Sequence, residues 1–106
     1  MGQAITVGRI VLYTLTADQA AQVNRRREPG AGHTPSWPKG AQAHVGNHAT
    51  EGDVLPLLVC RVWPNEGGQG KDGVNGQCFL DGNDQLWITS ALEGTGPGTW
   101  AWPQRG

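Results

Sequence analysis

The side chains in this sequence best suited to chemistry are Arg25, Arg26 and Arg27, followed within twenty positions by Trp37, Gln42, His44 and Asn47. Guanidinium groups make bidentate hydrogen bonds to phosphate. An indole offers a flat, rigid platform for a base, and amide and imidazole side chains fix orientation. Those seven residues are the expected binding set for a small anionic, nucleotide-type ligand. A structural alternative stands beside that reading, because basic residues at the end of a helix suit its negative pole with no ligand present. Successive helical positions are ~100° apart, so three arginines in a row cannot share one solvated face, and at least one must lie over neighbouring structure.

Catalytic arrangements are harder to assemble. Cys60, Cys78, Ser36 and Ser90 could be nucleophiles, and His33, His44 and His48 their bases, but no spacing links them. Asp81 and Asp84 form a pair of acids within Asp81-Gly82-Asn83-Asp84, where aspartate is favoured for turn hydrogen bonding. His44 and His48 are four apart, yet the Val45-Gly46-Asn47 between them is a poor helix former, and neither a C-x-x-C motif nor a third neighbouring histidine completes a zinc set. Gly67-Gly68-Gln69-Gly70 and Gly94-Thr95-Gly96-Pro97-Gly98 precede no helix and lack a following Lys-Ser/Thr pair, so they read as turns rather than phosphate loops. The expectation is a protein that is not an enzyme, with no catalytic residue, no metal and no cofactor.

The elements that would position the arginines come next. At 106 residues the chain is one domain, 1–106. Seventeen Gly and seven Pro approach the share at which a chain loses structure, but five Trp and a charged fraction of only 16% argue for folding. No apolar run is long enough to span a membrane, and the net charge of −1 gives no field for general nucleic-acid binding. No secretory signal is visible, and with two cysteines a disulfide scaffold is not expected; both thiols read as buried and free.

Val7 to Leu15 reads as a first strand with a bulge at Gly8. Thr16 and Gln19 form a capping box that starts a helix over Ala17 to Arg27, ended by Pro29-Gly30. Residues 28–52 show no period, and so long an irregular stretch inside a small domain is expected to be a functional loop. Strands follow over Asp53 to Trp63, Val74 to Asp81, Leu86 to Ser90 and Thr99 to Trp102, the second and third joined by the tight turn at Asp81-Gly82-Asn83-Asp84. Both faces of the Asp53 to Trp63 strand are largely apolar, which predicts a central position. Trp63 and Trp87 are expected in the core, Trp100 and Trp102 on one strand face, and Trp37 at a ligand or interface. The fold class is mainly β (α+β): a small SH3-like bent sheet or barrel of about five strands, with one helix after strand 1.

Val7-Gly8-Arg9-Ile10-Val11, Asn24-Arg25-Arg26-Arg27, Gly40-Ala41-Gln42-Ala43-His44-Val45-Gly46-Asn47, Val74-Asn75-Gly76-Gln77, Leu80-Asp81-Gly82-Asn83-Asp84 and the ending Gly98-Thr99-Trp100-Ala101-Trp102-Pro103 resemble a group of small proteins of tailed bacteriophages and prophages. The resemblance covers nearly the whole chain. Cys78, where such proteins carry an aliphatic residue, and the glycine-rich turn from Pro64 to Asp72 depart from it. It implies a phage origin and action in the host bacterial cytoplasm or in the virion, and it supplies no catalytic residues.

Residues and resemblance together suggest an anti-defence protein: a homo-oligomer that sequesters a nucleotide-type host immune signal without chemistry. The alternative is a virion accessory protein, for capsid decoration or head-tail joining, with the same arginines and loop gripping a neighbouring subunit.

Overall fold

The computed structural model describes residues 4–27, 46–64 and 70–104. Five strands, β1 (Ile10–Thr14), β2 (Val54–Trp63), β3 (Gly73–Phe79), β4 (Gln85–Glu93) and β5 (Thr99–Ala101), close into a barrel, with one helix, α1 (Ala17–Arg27), between β1 and β2. The fold is mainly β, as the sequence implies. Neighbours run antiparallel except β4 and β5, which are parallel, and β5 returns to pair antiparallel with β1. Closure removes the free edges that an open sheet of this size would expose.

The core is the inward half of each strand. Val11, Tyr13, Leu57, Val59, Val74, Cys78, Ile88 and Trp100 fill the interior, and Leu15, Ala20 and Val23 extend it beneath the helix. Trp100 is 1% exposed, donates Nε1–H to the Asp72 carbonyl at 3.0 Å and meets Trp102 edge to face at 5.7 Å.

Helix α1 begins where the capping box places it. The Thr16 amide donates to Gln19 Oε1 at 3.0 Å and the Gln19 amide to Thr16 Oγ1 at 3.1 Å, satisfying two of the donors that a helix start leaves open. Gln19 Oε1 also accepts the Tyr13 hydroxyl at 2.9 Å, which fixes the helix to the end of β1. Only Ala20 and Val23 of α1 are buried, so polar contacts must hold the rest of the helix in place.

Several expectations change. The first strand is shorter than Val7 to Leu15, because Gly8 adopts φ +94° in a turn ahead of Ile10. β2 is not buried on both faces: closing a sheet into a barrel leaves one core, and the outward Val54 is 54% exposed. The register of β2 on β3 shifts between Val59 and Arg61, which turns Val62 toward the core and leaves Trp63 half-buried outside the core cluster, with the Arg61 guanidinium 4.4 Å from its ring centroid. Trp87, expected in the core, is 48% exposed. Cys78 is buried as expected, whereas Cys60 is exposed. Trp37 and most of the predicted 28–52 loop lie outside the described residues.

Candidate functional site

Three stretches that are distant in the sequence meet at one end of the barrel: the C-terminal turn of α1, the segment 46–53 leading into β2, and the Leu80 to Asp84 turn between β3 and β4. Asp84 is the centre of the junction. Its side chain is 2% exposed and accepts Arg26 Nη2 at 3.3 Å on one oxygen and Arg27 Nη2 at 2.7 Å on the other. Arg26 Nη2 also reaches the Gln85 carbonyl at 3.2 Å, and Arg27 Nη1 donates to the Asn47 carbonyl. Two guanidiniums on one buried carboxylate bind the helix end to the hairpin through charge-assisted bonds.

Asn47 closes the other side. Its amide donates to the Asp81 carbonyl at 3.0 Å and its Nδ2 to Asp81 Oδ2 at 2.7 Å. Gly46 forms an isolated antiparallel bridge with Gly82. A Cβ on Gly46 would stand 2.2 Å from the Asp81 carbonyl oxygen and 2.9 Å from Arg27 Cζ, so only glycine lets the segment pass this closely. One turn earlier on α1, Asn24 holds Ala49 at both backbone groups, accepting its N–H and donating to its carbonyl at 2.9 Å each, in the manner of a neighbouring strand. Asn24 Nδ2 also lies 3.4 Å from His48 Nε2.

These contacts enclose a cavity of about 210 Å³. Val23, Leu55 and Leu80 give it an apolar floor, while Arg27, Asn47, His48, Asp53 and Asp81 give it polar walls. Arg26 Nε and Arg27 Nε are buried beside this junction without a hydrogen-bond partner among the described residues. Buried donors are nearly always satisfied, and leaving one bare costs ~1–3 kcal/mol or more when it is charged. Among the described residues the charges balance, Arg25, Arg26 and Arg27 against Asp53, Asp81 and Asp84. The junction therefore presents directed hydrogen-bonding groups rather than a basic field.

Of the expected binding set, Arg27 and Asn47 line the cavity and Arg26 joins them at Asp84, while Arg25 is exposed on the helix surface. Trp37, Gln42 and His44 lie outside the described residues. Sequence reasoning missed Asp81 and Asp84 as partners of the arginines and the asparagine, reading them only as turn formers. It also missed Asn24, although that residue sits beside the arginines in the same quoted stretch. No group of three His, Cys, Asp or Glu placed to hold a metal ion occurs among the described residues. No helix there is long and apolar enough to cross a membrane. Set against known proteins, the chain matches no family model, no curated protein and no solved structure.

Proposed function

We propose that this chain is a non-enzymatic binding protein that captures a small anionic, nucleotide-type ligand at the junction of α1, segment 46–53 and the β3–β4 turn. The observation that carries the reading is the pair of buried, unpartnered Nε–H donors of Arg26 and Arg27 beside a cavity that Arg27 itself lines. A phosphate oxygen suits such donors, since a guanidinium N–H makes a charge-assisted hydrogen bond to it. Asp84 anchors both arginines by Nη2 and leaves each Nε–H, a single donor, to a second acceptor.

The cavity is smaller than the ~300–1,000 Å³ that encloses a whole drug-sized ligand. It has room for a phosphate or sugar-phosphate portion, with the base outside. Val23, Leu55 and Leu80 would pack on the apolar side of the sugar, and Asn47 and His48 would meet its hydroxyls. In the phage setting that the resemblance implies, the ligand is a host immune signal, and capture in the host cytoplasm withdraws it by mass action. A sponge of this kind must bind tightly rather than turn over. At ~1 nM affinity and an association rate of about 10⁶ M⁻¹s⁻¹, the bound state lasts on the order of ten minutes.

Native mass spectrometry of the full chain mixed with ADP-ribose and a panel of cyclic dinucleotides tests the reading. The expected result is one class of nucleotide retained at intact mass. Failure of every phosphate-bearing nucleotide to bind, or release of a cleaved product, overturns it.

A further inference from the structure

The cavity at the junction is walled by two carboxylates, Asp53 and Asp81, and by one guanidinium, Arg27. Each carboxylate is fixed through one of its oxygens. Asp53 Oδ2 accepts the Thr50 amide at 2.9 Å while the Asp53 amide donates to the Thr50 carbonyl at 3.0 Å, and Asp81 Oδ2 accepts Asn47 Nδ2 at 2.7 Å. The second oxygen of each, Oδ1, has no hydrogen-bond partner among the described residues. Arg27 is the converse case. Its side chain is 10% exposed, its Nη2 is held by Asp84, and its Nε–H is a buried donor without a partner among the described residues. The walls therefore ask a ligand for an acceptor at Arg27 and for donors at Asp53 and Asp81.

We infer that the group seated in this cavity is a ribose 5′-phosphate whose 2′- and 3′-hydroxyls are both free, an inference that rests on the phosphate-capture reading above and narrows it to one ligand class. A phosphate alone meets only the requirement of Arg27, and deeper in the cavity it would face two carboxylates of its own sign. An ammonium would suit the carboxylates but has no lone pair to accept from Arg27 Nε–H. Hydroxyls resolve the conflict, since each donates to a carboxylate oxygen in a charge-assisted bond without bringing a further charge. Spare oxygens on two separate carboxylates take two donors, which a vicinal diol presents and a 2′-deoxyribose or a 3′-esterified ribose does not. The apolar floor of Val23, Leu55 and Leu80 suits the carbon skeleton of the ring, whereas a second phosphate would be stranded on it. Because Thr50 and Asn47 already hold one oxygen of each carboxylate, the acceptors are in place before the ligand arrives, and little ordering cost falls on binding.

NMR titration of the full chain with adenosine 5′-monophosphate, its 2′-deoxy and 3′-deoxy analogues and a 3′,5′-cyclic dinucleotide tests the inference. Asp53 is half-buried and Asp81 exposed, so losing one hydroxyl bond is expected to weaken binding by ~10–100-fold rather than the ~10⁴-fold of a sealed site. The parent nucleotide is therefore expected to bind at least ~tenfold more tightly than each of the other three. Asp53→Asn and Asp81→Asn keep an oxygen for Thr50 and Asn47 but give up the charge, and each is expected to bring at least one deoxy analogue within ~threefold of the parent while the amide spectrum keeps its dispersion. A deoxy analogue or cyclic dinucleotide that binds the wild type as tightly as the parent does overturns the inference and leaves phosphate capture standing, as do two folded variants that keep both preferences. Failure of all four to bind also overturns the inference, and the capture reading falls with it only if ADP-ribose fails as well.

Discussion

Asp84 Oδ1 lies 2.7 Å from Arg27 Nη2 across 57 residues of sequence, and the carboxylate's other oxygen accepts Arg26 at 3.3 Å. This contact ties the only helix of the described residues to the barrel. α1 buries just Ala20 and Val23, too little apolar surface to hold eleven residues in place alone. Removing the carboxylate strands two cations in a site where the Arg27 side chain is 10% exposed. Asp84→Ala is therefore expected to lose about 2–4 kcal/mol in urea unfolding followed by Trp fluorescence, and Asp84→Asn, which keeps an acceptor, about half as much. A loss within ~0.5 kcal/mol for Asp84→Ala would mean that the contact is a surface pair of little weight.

Gly46 is required by space rather than by φ. A methyl group there meets the Asp81 carbonyl oxygen at 2.2 Å and the Gly82 Cα at 2.7 Å, both backbone atoms that cannot swing aside. Gly46→Ala is expected to lower stability by about 1–3 kcal/mol and to shift the Asn47 and Asp81 amide resonances. Gly96→Ala is the control, since nothing lies within 4 Å of a Cβ there, and its midpoint should stay near that of the wild type.

Asn24 substitutes for a strand, satisfying both backbone groups of Ala49. Asn24→Ala is expected to cost about 1–3 kcal/mol and to speed hydrogen exchange at the Ala49 amide. Asn24→Asp retains the acceptor for that amide and should preserve more of its protection. Unchanged exchange in the alanine variant would show that segment 46–53 is held by other contacts.

Cys78 makes stability depend on pH in the alkaline range. Burial pushes its thiol from 9.0 up to about 11. The unfolded chain therefore loses this proton first as pH rises. The stabilisation is complete below about pH 9 and is lost through pH 11, a fall of roughly 3 kcal/mol across that window. Burial also raises the Tyr13 hydroxyl, so its contribution is lost in the same direction. Unfolding midpoints measured from pH 7 to 11 should decline less steeply in Cys78→Ala than in the wild type. In the native protein at pH 8, a thiol reagent should label Cys60, which is exposed, and leave Cys78 untouched.

Local signals carried most of the fold. The capping box at Thr16 and Gln19 marks the helix start because both of its bonds lie within one turn, and the predicted helix coincides with α1. Alternation located the strands but did not place the shift between Val59 and Arg61 that turns Val62 toward the core, although Arg61, which would fall inward if the alternation of Leu57 and Val59 continued, marks it. Apolar residues on both faces made β2 look buried on both, whereas it lies between β1 and β3 as a central strand does but buries only one face. Only closure through the parallel β4–β5 pair, a long-range contact, decides which apolar face is core and which faces out. At the site, the arginines and Asn47 stood out by residue type. Their partners Asp81 and Asp84 did not, because a turn explains an aspartate as well as an ion pair does, and only the fold brings residue 27 to residue 84.

The most direct measurement is a ¹H–¹⁵N NMR titration that follows the arginine Nε–H resonances as ADP-ribose or a cyclic dinucleotide is added. The assignment comes from Arg26→Lys and Arg27→Lys spectra. Binding as described here shifts the Nε–H signals of both Arg26 and Arg27 downfield, as each gains a phosphate acceptor, and Arg27→Lys abolishes the complex while the amide spectrum keeps its dispersion. A nucleotide that binds without moving either Nε–H, or that binds Arg27→Lys as tightly as the wild type, contradicts the assignment of this junction as the capture site.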